Sequence, residues 1–548
     1  MSLQLLFEKF KQVVDRPESI KEIRSLILQL AVQGKLVEQD PNDESASVLL
    51  EKIKAEKERL VKEKKIKNEK PLPPIDPEDR LANIPDSWAY CRIGEGFVLN
   101  YGKALSKENR VQTGKVPVYG SNGVVGFHDH FLTDKPCIVI GRKGSAGAVN
   151  MAVESSWTTD VAYYVIPPEG FVLKFMHILF LQAGLENIGK GIKPGVNRNE
   201  AYIMVVGFPP LAEQHCIVEK VDQLMGLCDC LEDQLSQFDS VKTDLAESAV
   251  HHLMEAPTEQ EFNRHWTFIR NRFDTLFDNP ENVKKLKQAI LQLAVQGKLV
   301  PQDPNDEPAS VLLEKIKTEK QKLIKEGKIK KQKPLPPTVP GEVPFEVPEG
   351  WVWDCLSVLA IIGTGSTPTS TEEKYYDGTI PWATSSVTSL SLIFSTEKHV
   401  SELALLDFNL KVYNPGVLII AMYGQGKTRG QISELGIAST INQACCAVDL
   451  ITQMDFHRKY VKYFFKGEYE KIRLLAAGGA QPNLNVRKIQ ATKLPIPPLE
   501  EQHRIVEKVD QLMGLCDHLE SDTGSRNKAN SDLLQSLVHH VVEPALVQ

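Results

Sequence analysis

Residues Ile27–Pro74 read ILQLAVQGKLVEQDPNDESASVLLEKIKAEKERLVKEKKIKNEKPLPP, and Ile290–Pro337 read ILQLAVQGKLVPQDPNDEPASVLLEKIKTEKQKLIKEGKIKKQKPLPP. At an offset of 263, without a gap, 39 of 48 positions are identical. The register extends outward: Asp15-x-Pro17-Glu18 matches Asp278-x-Pro280-Glu281, and Pro85-x-x-Trp88 matches Pro348-x-x-Trp351. A second repeat has offset 288. PPLAEQHCIVEKVDQLMGLCDCLE from Pro209 matches PPLEEQHRIVEKVDQLMGLCDHLE from Pro497, and Val250-His251-His252 matches Val538-His539-His540. The offsets differ by 25, and all of that difference lies between Trp88 and Pro209 in one copy and between Trp351 and Pro497 in the other. Those two intervals share little sequence. Internal duplication of this kind means an architecture built twice. Near-identical frames hold divergent inserts, so the inserts are what select targets.

Local signals give the frame its shape. Asp15 and Asp278 are suitable N-caps with Pro and Glu in the first turn, so a helix is expected from each, ending near Gln33-Gly34 and Gln296-Gly297. Asp43 and Asp306 are expected to open a second helix, which KPLPP stops because proline cannot continue it. The charge run Glu51–Lys70 alternates Glu and Lys and reads as a solvated helix face. After Pro210, the residues Ile217, Val221, Leu224, Cys228, Leu231, Leu235 and Phe238 follow a 4,3,4,3,4,3 spacing, an a/d heptad seam on a long helix. The second copy keeps Ile505, Val509, Leu512, Cys516 and Leu519. Thr523 and Arg526 then replace Leu235 and Phe238, which predicts a break near Gly524. Each insert is expected to be mixed, with more strand than helix. IVIGRKGSAGAVNMAV and VLIIAMYGQGKTRGQISEL read as hairpins around Gly-rich cationic turns, and FMHILFLQAGLENIG and FHRKYVKYFFKGEYEKIRLLAAG read as helices.

Composition sets the limits. A chain of 548 residues exceeds one hydrophobic core and suggests three or four structural units. MSLQLLFEKFKQ has no apolar segment of the signal type, and no run approaches the roughly 18 apolar residues of a membrane span. The nine cysteines include no C-x-x-C pair; Cys228 and Cys230 are one residue apart and Cys445 and Cys446 adjacent, so reduced thiols and a cytoplasmic location are expected. Net charge is −7, yet residues 88–208 carry 12 basic against 9 acidic residues and residues 353–498 carry 14 against 12. The acidic excess therefore lies on the helical parts, which gives weak support for DNA contact by the inserts.

Catalytic motifs are not convincing. Ala421-Met-Tyr-Gly-Gln-Gly426-Lys427-Thr428 fits a relaxed P-loop, but Arg429-Gly430-Gln431-Ile432 reads as turn and strand rather than the helix that would hold phosphate. Gly363-Thr364-Gly365 has the look of an adenosylmethionine loop, but no Asn/Asp-Pro-Pro-aromatic tetrapeptide accompanies it; a turn is expected there. The His251-His252 and His539-His540 pairs lack nearby Cys or carboxylate ligands, so packing or partner contact is expected and no metal. Neither G-x-S-x-G nor H-E-x-x-H occurs.

The frames, the PPLxEQ-x-x-IVEKVD-x-L helices and the two unlike inserts resemble the specificity (S) subunit of type I restriction–modification systems over essentially the whole chain. LPIPPLEEQHRIVEKVDQLM and AVQGKLVPQDPNDEPAS carry the resemblance. It implies an α+β fold: two globular mixed α/β target recognition domains, separated by a pair of long antiparallel coiled-coil helices, with an internal pseudo-two-fold repeat. The expected division is a helical region 1–84, recognition domain 85–208, spacer helix 209–256, helical region 257–347, recognition domain 348–496 and spacer helix 497–548. The implied role is non-catalytic recognition of a bipartite double-stranded DNA target. The implied partners are two adenine-N6 methyltransferase subunits and restriction or motor subunits, which would use adenosylmethionine, ATP and Mg; no cofactor is expected in this chain.

Side chains suited to phosphates and base edges give the candidate contacts. In the first insert they are Tyr119, Ser121, Asn122, Arg142, Lys143, Lys190, Lys193, Asn197 and Arg198. In the second they are Thr384, Ser385, Ser386, Tyr423, Gln425, Lys427, Arg429, Gln481, Asn483 and Asn485. Competing readings are a nucleotide- or adenosylmethionine-dependent DNA enzyme and a structural coiled-coil adaptor.

Overall fold

A computed structural model of the chain describes residues 17–80, 84–188, 195–329, 343–424, 427–474 and 484–542. It divides into two compact units, residues 1–239 with 528–548, and residues 240–527.

Each unit contains one copy of the frame. Helix α1 (Pro17–Val32) buries Ile20, Ile23, Leu26, Ile27 and Leu30, one apolar stripe at helical spacing. It ends at Gly34, whose φ of +66° lets the Lys35 N–H return to the Leu30 carbonyl at 3.0 Å. A Cβ at Gly34 would lie 2.5 Å from the Pro85 ring and 3.1 Å from Trp88, so glycine is also what lets Pro85-x-x-Trp88 pack there. Helix α2 (Ala46–Lys62) follows. Asp15 lies outside the described residues.

In the second copy, α7 (Pro280–Val295) follows helix α6 (Glu259–Asn271) and is capped by Asn279, which accepts from the Asn282 N–H at 2.9 Å. The cap is thus one residue later than the expected Asp278, whose carboxylate instead pairs with Lys242 at 2.6 Å. Helix α8 spans Ala309–Lys325. Helices α2 and α8 both begin three residues after the expected Asp43 and Asp306. Asp40 and Asp303 fold the preceding segment into a turn by accepting from the Asn42 and Asn305 N–H groups at 2.9 Å, and this delays helix entry until Ser45 and Pro308. The second KPLPP lies outside the described residues.

In the first unit, antiparallel strands β1 (Ala89–Arg92) and β9 (Val205–Phe208) tie the two ends of the insert together. Between them a four-stranded sheet has the order β2-β8-β5-β6 (Asn100–Tyr101, Ala162–Val165, Cys137–Gly141, Val149–Ala152), and a three-stranded sheet the order β4-β3-β7 (Val124–His128, Val116–Tyr119, Trp157–Thr158). Helix α3 (Leu173–Gln182) packs on β6 and β5, and a short helix α4 (Arg198–Ile203) precedes β9.

The second unit repeats this plan. Strands β10 (Val352–Cys355) and β19 (Lys493–Ile496) close its insert. The larger sheet has the order β11-β18-β15-β16-β13 (Ala360–Thr364, Cys445–Leu450, Leu418–Ala421, Ile432–Leu435, Leu392–Ile393), and the smaller the order β14-β12-β17 (His399–Val400, Ile380–Ala383, Thr440–Ile441). Strand β13 and the helical turn Glu402–Asp407 belong to the extra length of this copy. Helix α9 (Asp455–Gly467) and short α10 (Val486–Gln490) complete it. Both expected hairpins are present, as β5–β6 and β15–β16. Gly363 and Thr364 do not form a turn. They end strand β11, paired with Ala447 and Cys446, because their carbonyls and N–H groups complete the edge of the sheet.

Two continuous helices of 44 residues follow the inserts, α5 (Leu211–Met254) and α11 (Leu499–Val542). Each would be a rod of roughly 66 Å. The expected break near Gly524 does not occur. Thr523 returns its hydroxyl to the Leu519 carbonyl at 2.8 Å, and Arg526 pairs with Asp274 at 2.8 Å, so both polar replacements are accommodated without unwinding. The seam residues Ile217, Val221, Leu224 and Cys228 share one buried cluster with α1 and Trp88, and Ile505, Val509, Leu512 and Cys516 share another with α7 and Trp351. Phe238, the last residue of the seam, is 56% exposed. Among the described residues no helix is long and apolar enough to cross a membrane. No disulfide joins any of the nine cysteines.

Candidate nucleic-acid interface

The frame seats each recognition domain with one constellation used twice. Trp88 donates its indole N–H to Glu213 at 2.9 Å, and Gln39 donates to the other oxygen at 3.0 Å. Trp351 and Gln302 do the same to Glu501 at 2.8 and 3.1 Å. Both carboxylates are buried, and burial raises their pKa against the lowering effect of those hydrogen bonds. The adjacent glutamines donate to proline carbonyls, Gln214 to Pro209 and Gln502 to Pro497. This accounts for the Glu-Gln step of PPLxEQ: both side chains are buried and committed at the root of an insert. Farther along the long helices, Arg24 bridges Asp229 and Glu232 at 2.6 and 2.8 Å, and Lys287 bridges Asp517 and Glu520 at 2.7 and 2.6 Å.

On this base the first domain carries a cationic face beside the β5–β6 turn. Ser121 belongs to the turn after β3 and packs against the hairpin: a Cβ on Gly141 would lie 2.4 Å from the Ser121 carbonyl, so the two turns touch through backbone. Asn122 and Lys143 are exposed. Arg142 donates to the Asp160 carbonyl at 3.0 Å. Tyr119 is half-buried, with its hydroxyl toward the Met151 carbonyl at 3.4 Å. Asn197 caps α4 by accepting from the Asn199 N–H at 2.9 Å. Arg198 reaches Glu69 at 3.5 Å. Lys190 and Lys193 lie outside the described residues.

The second domain holds its candidates differently. Thr384 and Ser386 share a hydrogen bond at 2.8 Å, and Ser385 gives its carbonyl to the Thr388 hydroxyl at 2.7 Å, so this trio forms a closed turn after β12. Tyr423 and Lys427 are exposed on the β15–β16 turn and Arg429 is half-buried. Asn485 caps α10 by accepting from the Lys488 N–H at 2.9 Å, the same task as Asn197 at offset 288. Gln425, Gln481 and Asn483 lie outside the described residues. Strand β16 follows this turn, not a helix, as the sequence of Arg429–Ile432 indicated.

The structure adds residues that sequence patterning passed over. In the first domain Tyr101 stands with its ring centroid 5.2 Å from the Arg142 guanidinium carbon and 5.0 Å from that of Arg198. In the second, Tyr469 donates its hydroxyl to the Lys427 carbonyl, and Arg473 lies 5.4 Å from its ring. Each hairpin turn thus lies beside an aromatic–arginine contact: in one domain β2 supplies the tyrosine and the turn and α4 the arginines, and in the other the helix Tyr469–Leu474 supplies both partners. Only long-range pairing brings these residues to the turns, so no local signal marks them.

The model of the type I restriction modification DNA specificity domain matches residues 85–237 and 348–526. The chain is 32% identical to the type I restriction enzyme EcoAI specificity subunit of Escherichia coli, over 91% of this chain and 90% of that one. It is 30% identical to the EcoEI specificity subunit of the same organism, over 94% and 93%. A chain from a solved structure on complex assembly and conformational transition of the type I R-M system is 16% identical over 84% of this chain and 98% of that one, with a TM-score of 0.48. With two matched specificity domains and curated relatives aligned almost end to end, this chain belongs to the family of type I restriction–modification DNA specificity subunits.

Proposed function

We propose that the chain is the non-catalytic sequence reader of its system, each recognition domain contacting one half of a bipartite double-stranded target. The observation that carries this reading is the shared strand order of two inserts with little common sequence, each closed by the same frame. A constant scaffold with variable contents suits two different half-sites. The candidate contacts gather at and beside the hairpin turns: exposed Asn122 and Lys143 with half-buried Arg142 and Arg198 in the first domain, and exposed Tyr423 and Lys427 with half-buried Arg429 in the second. Asn197 and Asn485 are already engaged as caps. The long helices would set the gap between half-sites, so lengthening the segment 210–254 should change that gap and not the bases read.

The partners proposed are two adenine-N6 methyltransferase subunits and ATP-driven restriction subunits. Two equivalent frames offer two equivalent docking surfaces. Adenosylmethionine, ATP and Mg would belong to those partners, and the site of action would be the cytoplasm. Methylation mapping of the genome with and without the gene tests the reading. One bipartite adenine-methylated motif should vanish on deletion; if none does, the reading fails.

A further inference from the structure

We propose that Tyr101 is a positioning residue that holds Arg142 and Arg198 as a fixed guanidinium pair toward a base edge in the half-site taken by the first recognition domain. The inference rests on the DNA-recognition reading above and names residues within it.

Tyr101 is 50% exposed at the end of β2, yet it is braced. Its ring meets the buried ring of Tyr163 edge-on at 5.0 Å, and the Tyr163 hydroxyl donates to the Val196 carbonyl at 3.2 Å. The Val196 N–H in turn donates to the Arg142 carbonyl at 2.9 Å, and Lys143 forms a bridge with Gly195. The chain after Tyr101 is pinned too: a Cβ at Gly102 would lie 2.0 Å from the Thr159 carbonyl oxygen. Tyrosine, hairpin turn and the start of α4 therefore form one unit, and a single ring serves both guanidinium groups.

Charge points to a missing acceptor. Among the described residues, Arg198 meets a carboxylate only at 3.5 Å from Glu69, its Nε is buried without a hydrogen bond, and Arg142 is satisfied by a backbone carbonyl and not a carboxylate. Two cations sharing one ring with so little neutralisation are suited to an acceptor-rich partner. A guanidinium held against an aromatic face keeps its edge free for bidentate donation, the geometry that fits the N7 and O6 acceptors of guanine.

The second domain lacks this clamp. Pairing of Thr364 with Cys446 and of Ala421 with Cys445 puts Thr364 and Met422 where the first domain has Tyr101 and Arg142, and offset 288 puts Val486 at the position of Arg198. The clamp is therefore a feature of one half-site alone.

The test uses the full chain assembled with its methyltransferase subunits, comparing target DNA with single-base variants in each half. Tyr101→Ala should reduce discrimination about tenfold at one or two positions of one half and leave the other half intact. Arg142→Gln and Arg198→Gln should lose discrimination at those same positions, and Tyr101→Phe should keep it because the ring remains. The proposal is overturned by unchanged discrimination in Tyr101→Ala, by equal loss in both halves, by a Tyr101→Phe loss matching that of alanine, or by uniformly weaker binding with discrimination preserved, which would mark phosphate contact only. If the unmodified complex itself shows no discrimination, the recognition reading fails, not the clamp alone.

Discussion

Gln214 and Gln502 occupy one position in two copies of the same frame, and each donates to the proline carbonyl five residues before it. Their oxygens find different things. Gln214 accepts the backbone N–H of Val172 at 2.9 Å, whereas Gln502 meets the Nδ1 of buried His457 at 2.7 Å. Around them the Trp–Glu–Gln constellation is the same in both copies, and all of its members come from the frame. The difference shows how one frame can hold unlike inserts. Most of the seat is made by the frame with itself, and the insert supplies a single acceptor-matching donor, which backbone can provide as readily as a side chain.

On the recognition reading, exchanging residues 351–497 for the insert of another family member should have the largest effect, replacing one half of the methylated motif and sparing the other. Sequencing for adenine methylation would reveal a change in both halves, which would refute the independence of the two domains. Next in size, Trp351→Ala and Trp88→Ala should each cost about 3–5 kcal/mol, from the cavity and from the carboxylate oxygen left without its donor. Denaturant unfolding combined with regional hydrogen exchange should find similar losses in the two copies; a large disparity would mean that the seats are equivalent only in appearance.

Acid should separate the two seats more subtly. Gln502 Nε2 already donates to Pro497, so its oxygen must accept and His457 Nδ1 carries the proton. His457 Nε2 is buried without a hydrogen bond, and burial holds its pKa below the usual imidazole range. The folded state therefore resists a second proton that the unfolded chain accepts below about pH 6.5, so stability falls as pH falls through that region, by at most about 1.4 kcal/mol per unit. His177 in the first unit is lowered in the same direction but is only half-buried. Because His457 is the more deeply buried, exchange protection around α9 and the start of α11 should accordingly lose more as pH falls below about 6.5 than protection around α3, and His457→Gln should remove the difference. The smallest effect belongs to Asp274→Ala. It removes an exposed ion pair worth up to about 1 kcal/mol and should loosen α11 near Arg526, with no counterpart at Phe238 of α5.

Much of the frame was legible because its signals are local. Gly34 and Gly297 mark helix ends through their positive φ, and the apolar stripes of α1 and α7 follow helical period. Cap positions were displaced where a neighbouring side chain offered the same hydrogen bond, as Asn279 does beside Asp278. The break expected at Gly524 was a misreading of Thr523 and Arg526: they interrupt an apolar seam, but an interruption unwinds a helix only when the polar groups lack partners, and Asp274 supplies one. At the candidate interface the hairpin turns were visible as glycine- and cation-rich breaks between apolar runs. Their aromatic neighbours were not, since Tyr101 and Tyr469 reach the turns only through strand pairing and helix packing.

By itself the sequence determined that a plan is built twice, where its helices lie, and that its inserts diverge, because repeats, caps and periodicity are written in residues close together along the chain. The tertiary structure alone decided that those divergent inserts share one strand order, that the Glu-Gln step is a buried seat, and that one domain gathers two arginines on a tyrosine. These depend on which distant strands hydrogen-bond to one another, and backbone pairing can be kept while nearly every side chain above it changes.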